Sequence, residues 1–317
     1  MCLRPSRGPG DLGVRTRGRD PDDRPVDHVQ GRTGARSHLI ELPFDPDLAI
    51  GSFRIAWHSV FAFVGMLVGA FVSIRCARYL VRDERVYPFA IAVVIGGLIG
   101  ARIAHVTDNW AALYADDPLR ALQFWSGGIG TMGAPIGSTI TGYLAARWLR
   151  LPVGFMFDIT VIGIALGEAI GRIGDIVNGE HHSVPCLDLP WCVRYTHPNT
   201  LGQSTSVHPI GVYDGLLMVG IFLVLYLYWR RVRGQPPEGR VWLGYLLLLG
   251  AGRFLLSFLR TDPLFLGGLQ QAQVLGLLYL GAGAVTLPIL ARRARRLARD
   301  GRAQNGEKPL LKRVSDR

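Results

Sequence analysis

The sequence predicts an all-α integral membrane protein of about seven transmembrane helices, with its N-terminus outside and its C-terminus cytoplasmic. Three observations predict it. The 317-residue chain is 49% hydrophobic yet carries 35 Lys and Arg, so apolar and basic residues must be segregated along it. Seven stretches stay apolar over roughly the 20 residues needed to cross a bilayer's hydrocarbon. The loops between them alternate in charge without a break.

The expected spans are 53–74, 87–106, 133–149, 154–174, 211–229, 241–259 and 274–290. The third is short and the second is Gly-rich. In lipid, small residues let helices approach closely, and "GGLIG" and "GAGAV" read that way. Arg75, Arg78, Arg82 and Arg85 follow the first span, and Arg147 and Arg150 follow the third. "WRRVRGQPPEGR" and "ARRARRLARDGR" follow the fifth and seventh. Loops after the even spans are poor in Arg and richer in acid or His. The basic loops are therefore expected in the cytoplasm.

The chain divides into an Arg/Asp/Gly-rich tail (1–45) expected to be disordered, a membrane domain (46–292) and a basic cytoplasmic tail (293–317). The N-terminal tail lacks the apolar core of a signal peptide and is read as an over-extended start or a dispensable segment. The net charge of +11 raises nucleic acid as a partner. The basic residues sit in the tails and short loops, however, which fits membrane topology rather than a nucleic-acid face.

Cys186 and Cys192 share an outer loop, "PCLDLPWC", where an oxidising compartment favours a disulfide. The rival, a metal pair helped by His181 and His182, has weak ligand spacing. No metal and no diffusible cofactor is expected. Cys76 is expected as a reduced cytoplasmic thiol.

Ionisable groups at membrane depth are costly unless they face a wet or protein-lined cavity, so each is a site candidate. Arg102, Arg172, Arg253 and Arg260 lie in or at the ends of spans, with Asp175, Glu180, His208 and Asp214 on the same outer side. Arginine's planar fork of donors grips a phosphate bidentately, so several arginines at the outer leaflet suit an anionic lipid headgroup. Glu180 and Asp214 could orient them or move protons. The competing structural reading makes Arg172–Asp175 and Arg253–Asp214 buried ion pairs that tie helices together.

An ordered set of motifs over residues 45–292 then resembles the prolipoprotein diacylglyceryl transferase family. "GRIGDIVNGE" (171–180) resembles that family's signature, roughly GRIGNFINGE. "RIAWHSVFAF", "GARIAHV", "DPLRALQFWSGGIGTMGAPIG", "DLPWCVRYTHPNT", "HPIGVYD", "GRFLLSFLR" and "LQQAQVLGLL" resemble further family elements in the same order. The resemblance implies a seven-span enzyme of the bacterial cytoplasmic membrane with its active site toward the outer face. The implied reaction moves diacylglyceryl from phosphatidylglycerol to the lipobox cysteine thiol of a preprolipoprotein signal peptide and releases glycerol phosphate. It makes Arg172 and Arg253 the first candidates for gripping phosphate, with Asn178 and Glu180 positioning the glycerol and Arg172. Arg102, Asp175, His208, Tyr213, Asp214 and Arg260 are the further substrate-binding candidates. Nothing in it fixes the oligomeric state.

The sequence departs from the family pattern at six places. Met132 stands where the family has His, His58 and His105 where it has Tyr, Asp175 where it has Asn, and Asp214 and Ser257 where it has Glu. Ser257 removes an expected partner of Arg253 and Arg260. Two accounts stay open. Either the base has moved to His58 or His105, since an imidazole near pKa ~6.5 suits that work, or the chain keeps the lipid pocket but acts on another acceptor or only binds lipid. His208 reads as a turn element where the fifth span begins. His181, His182 and His197 read as exposed loop residues. A small-solute transporter is the rival of another class. It would place polar groups in both halves of the bundle and show an internal repeat; the polar residues here cluster outward and no repeat is visible. The outer loop 180–207 and the Gly-rich spans are candidates for a moving gate.

Overall fold

The computed structural model describes residues 39–51, 53–123, 130, 133–187 and 189–299. Among these described residues there are seven α-helices, α1 (Trp57–Ala77), α2 (Val86–Asp108), α3 (Gly133–Trp148), α4 (Val153–Asn178), α5 (Ile210–Val232), α6 (Arg240–Leu256) and α7 (Gln271–Arg299). Six candidate membrane spans result, with α6 extended by a 3-10 turn to Leu259. The sequence led us to expect seven. The stretch expected as the third span is helical as α3, but at 16 residues and 1.5 Å per residue it reaches only about 24 Å, short of the ~30 Å of hydrocarbon.

Close backbone approaches at glycine set the helix pairs. In α1, Gly65 and Gly69 face Gly167 and Gly163 of α4, and a Cβ at Gly69 would stand 2.6 Å from the Gly163 carbonyl oxygen. Gly96 and Gly100 of "GGLIG" pack in the same way on Gly137 and Gly133 of α3. In "GAGAV" Gly281 faces open space, but Gly283 packs closely on Leu247 of α6, and α6 and α7 also approach through Gly250 and Gly276. Small residues four apart leave one helix face flat enough for a second backbone to lie on it, which is how spans associate where lipid competes for apolar side chains.

α4 is the most buried span. Met156, Ile159, Ile162 and Ala165 form its core-facing surface with Met218, Ile221 and Leu225 of α5 and Val241, Leu246 and Leu249 of α6. Its first turns are locked to the start of α6 by reciprocal capping. Asp158 accepts the backbone N–H groups of Gly239, Val241 and Trp242 at 2.8–2.9 Å, and Glu238 accepts that of Phe155 at 3.2 Å. Helix N-termini leave such donors unpaired, and these two carboxylates satisfy them across the bundle.

Between α4 and α5 the chain forms a loop with its own small core. Cys186 and Cys192 are joined in a disulfide and buried. β4 (Val193–Tyr195) pairs in parallel with β1 (Ile40–Leu42), and Arg194 forms an ion pair with Glu41. Residues 39–45, which composition placed in the tail, thus belong to the fold. The hairpin β2 (Asp47–Ile50)–β3 (Phe53–Ala56) leads directly into α1. A second hairpin, β5 (Leu264–Leu266)–β6 (Leu269–Gln270), leads into α7.

Candidate active site

The C-terminal end of α4 carries the densest polar cluster among the described residues. Gly174 lets α1 start directly on α4: a Cβ there would lie 2.6 Å from the His58 Cα. That contact brings the His58 imidazole to Asp175, with Nδ1 2.6 Å from Oδ1 and 3.4 Å from Oε2 of Glu180. Gly179 then ends α4 in the left-handed region (φ 74°), with its N–H bonded to the Asp175 carbonyl. This turn, which glycine adopts without strain, folds the chain back over the helix end. Glu180 accepts from the Asn178 amide at 3.0 Å, and His181 Nε2 comes within 3.3 Å of Asp175 Oδ2 and 2.8 Å of Arg172 Nη1.

Arg172 links this group to a second one. Its Nη1 donates to Asp175 Oδ2 at 2.5 Å and stands 3.9 Å from Asp214 Oδ2. Asp214, in the first turns of α5 and 1% exposed, is the hub. The same oxygen accepts from Arg260 at 2.6 Å and from Arg253 at 3.3 Å. Arg253 also donates to Glu168 of α4 at 3.4 Å, and Glu168 accepts from the Tyr245 hydroxyl at 3.3 Å. Arg260 reaches Asp262 at 3.4 Å. A continuous network therefore runs from His58 to Tyr245, built from α1, α4, α5 and α6.

Both ion pairs of the structural reading, Arg172–Asp175 and Arg253–Asp214, are present. They belong to a larger assembly in which three guanidinium groups meet on one carboxylate. Buried carboxylates of this kind are tolerable only when paired, and removing one partner leaves an uncompensated charge. Two acceptor atoms, Asp214 Oδ1 and Asn178 Oδ1, are buried and without a hydrogen-bond partner. Such atoms suit a ligand's hydroxyl groups.

The expected consequence of Ser257 does not hold. Its hydroxyl is buried against the Phe254 carbonyl, while Arg253 and Arg260 take carboxylate partners from Glu168, Asp214 and Asp262. His181, expected as an exposed loop residue, is partly buried inside the network. His182 is exposed, bonded to the Leu201 carbonyl at 2.8 Å, and His197 lies 3.8 Å from Asp45. His208 sits just before α5, its Nδ1 3.3 Å from the Tyr213 hydroxyl, which in turn accepts from Trp191.

Arg102 and His105 lie elsewhere, at the end of α2. Arg102 is 3% exposed and donates to the backbone carbonyls of Arg120, Ala121 and Gln123, bracing the segment after α2. His105 faces Asn109 and Tyr114. Met132 lies outside the described residues. On β4, burial, with the charge of Asp175 adding, pushes the Tyr195 phenol up to about 12, so it remains a neutral donor beside the network. A cavity of about 460 Å³ opens next to it, lined by Arg194, Tyr195, His197, Thr200 and Ser204.

Sequence reading missed Glu168 and Asp158, although both are acids within apolar stretches and the rule that picked out the arginines applies equally to them. His58, Asp175 and Glu180 also form a group whose ligand atoms lie within 4.8 Å of one another, a spacing that could hold a metal ion.

The fold and site define a multi-pass membrane protein with arginines, carboxylates and imidazoles gathered at one end of its bundle. Comparison with known proteins names the group. The family model for prolipoprotein diacylglyceryl transferase matches residues 47–289. A phosphatidylglycerol–prolipoprotein diacylglyceryl transferase of Clostridioides difficile is 32% identical over 240 residues, covering 75% of this chain and 92% of its own length. Those of Trichormus variabilis (32% over 259 residues; 78% and 90%) and Synechococcus elongatus (33% over 245 residues; 75% and 84%) are similar. The chain belongs to the prolipoprotein diacylglyceryl transferase family.

Proposed function

We propose that this protein transfers the diacylglyceryl group of phosphatidylglycerol to the lipobox cysteine thiol of a preprolipoprotein. The observation that carries the reading is the convergence of Arg172, Arg253 and Arg260 on Asp214 beside the His58–Asp175 pair. In the proposed reaction the thiol gives its proton to His58, and the thiolate attacks the diacylglyceryl carbon that bears the phosphate ester. The carbon–sulfur bond forms as the carbon–oxygen bond breaks, and the electron pair leaves with glycerol phosphate. Arg172 and Arg253 stabilise the charge on the leaving phosphate. Arg260 holds Asp214, which with Asn178 offers unpaired acceptors to the glycerol hydroxyls.

His58 is favoured over His105 as the base. Its Nδ1 faces Asp175 and its side chain is 40% exposed, so a carboxylate fixes one nitrogen while Nε2 is left for the thiol. This is the orienting logic of a carboxylate–imidazole pair. Glu180 and Asp175 position His58 and Arg172. In this reading Arg102 and Tyr213 act on substrate only through the segments they brace.

We further propose seven membrane passes, α3 included, with the N-terminus outside, in a bacterial cytoplasmic membrane. The site then faces outward. The disulfide at the same end of the bundle as the site supports this, as do the arginine-rich loops at the other end.

A transfer assay with purified protein, phosphatidylglycerol and a lipobox peptide, read by peptide mass, tests the reading. A diacylglyceryl adduct that disappears in Arg172→Ala and Arg253→Ala is expected. Phosphatidylglycerol binding without any adduct would instead make the chain a lipid-binding relative or a transferase for another acceptor.

A further inference from the structure

The end of the bundle away from the site holds a second cluster that the transfer reaction does not use. α1 runs from His58 to Arg75, about 26 Å along the helix axis. There a cavity of about 340 Å³ opens between the last turns of α1 and α5, lined by Arg75, Arg78, Arg233, Tyr79, Tyr226 and Trp229. Among the described residues no carboxylate lines it, although Glu84 stands 3.9 Å from Arg78. Arg78 is committed to the Arg82 carbonyl at 2.9 Å and the Tyr87 hydroxyl at 2.7 Å. The Arg233 guanidinium lies over the rings of Tyr79 (4.6 Å) and Trp229 (5.4 Å). Stacking of this kind holds the guanidinium plane and leaves its edge donors free. Among the described residues neither Arg75 nor Arg233 has a side-chain hydrogen bond or a carboxylate partner.

An independent feature points the same way. Trp229 is 5% exposed, and its indole Nε1 is buried with no hydrogen-bond partner. Indole nitrogen only donates, and buried donors without an acceptor are rare in native proteins. An acceptor-rich anion in the cavity would satisfy it and would also neutralise the two unpaired guanidinium groups. α1 and α5 expose Leu67, Phe71, Leu223 and Leu227 along the turns before the cavity, so an occupant with acyl chains would find apolar surface beside it.

We propose that this cavity binds the phosphate of an anionic lipid headgroup, in the leaflet opposite the transfer site. The surrounding arginines supply charge, the Trp229 N–H supplies one directed hydrogen bond, and the tyrosine rings wall the pocket. Occupancy would tie the ends of α1 and α5 together through a lipid.

Native mass spectrometry of the full chain, delipidated and then titrated with phosphatidic acid or phosphatidylcholine, tests this. We expect phosphatidic acid to be retained preferentially. Retention should weaken about tenfold or more in the Arg75→Gln/Arg233→Gln double variant, at roughly 1 kcal/mol per basic residue near an anionic surface. It should weaken about fivefold in Trp229→Phe, which keeps the ring and loses the donor. Transfer activity at the other end in detergent should be unchanged, which separates this site from the proposed reaction. Equal retention of phosphatidic acid by all three proteins would overturn the proposal. Inorganic phosphate that binds wild type, displaces the lipid and is lost in the same variants would overturn the lipid assignment in favour of a free phosphate site.

Discussion

The two ends of α4 each bury an aspartate, and they bury it in opposite ways. Asp158, near the start of the helix, is saturated by three backbone N–H groups from the start of α6. Those donors are fixed in place and carry no proton to give. Asp175, near the other end, is held by side chains: His58, His181 and Arg172. Two of those partners are imidazoles, which unlike a backbone N–H can take up or release a proton, and His58 is 40% exposed on its side chain. The first arrangement joins α4 to α6, whereas the second can accept a proton, admit an anion and rearrange. The identity of a buried carboxylate's partners thus separates structure from chemistry here, where burial alone does not.

The largest effect that sharpens this contrast falls on the arginines. Arg172→Ala and Arg253→Ala should each lower transfer by about 10³-fold or more, because charge on the leaving phosphate loses its partner. Each also takes one partner from a buried carboxylate, so Arg172→Lys should fold better yet recover little activity, since it lacks the planar fork. Peptide mass after a timed reaction, beside thermal unfolding, separates the two effects.

Asp158→Asn should do the reverse. The amide keeps an acceptor but presents N–H groups to backbone donors, at a cost of about 2 kcal/mol. Unfolding should shift while transfer per folded molecule is unchanged, and a loss of turnover in well-folded protein would break the contrast. Reduction of the Cys186–Cys192 disulfide should have an intermediate effect. It closes a short loop, so about 2 kcal/mol of local stability is at stake, read as faster hydrogen exchange over 183–207.

The smallest effect concerns Glu238, which lies outside the spans. Burial raises its carboxyl above the ordinary value of 4.5. The folded state therefore holds the proton more tightly than the unfolded one. The stability this contributes is complete below about pH 4.5 and is lost as pH rises through the raised value. Glu238→Gln should flatten that part of the stability profile, measured as unfolding temperature against pH.

The helices and the signature segment of the site were legible because apolar length and motif order survive in one dimension. The network was legible only in part. "GRIGDIVNGE" announced Arg172, Asp175, Asn178 and Glu180, and the shared outer loop of Cys186 and Cys192 announced their bridge. Glu168 was hidden because hydropathy averaging absorbs a single acid within the apolar run between Asp158 and Arg172. His181 was misread because its position depends on the left-handed turn at Gly179, although Asn-Gly before Glu-His is a readable sign of such a turn. Of the partners of Arg253, Asp214 on α5 was anticipated as an ion pair, but Glu168 on α4 was not, because a family partner was sought at Ser257, one helical turn further along. Distant carboxylates that meet in space leave no local pattern. The short α3 was visible in its length, but the motif order suggested a full span.

In the proposed reaction His58, set by Asp175, takes the thiol proton. The most direct measurement is the rate of transfer to a lipobox peptide against pH for wild type, His58→Gln and His105→Gln, with phosphatidylglycerol binding measured alongside. His58→Gln should lose about 10²–10⁴-fold in rate and the acid limb of the profile while still binding lipid, and His105→Gln should keep both. A His58→Gln protein with the wild-type rate and profile would contradict that role.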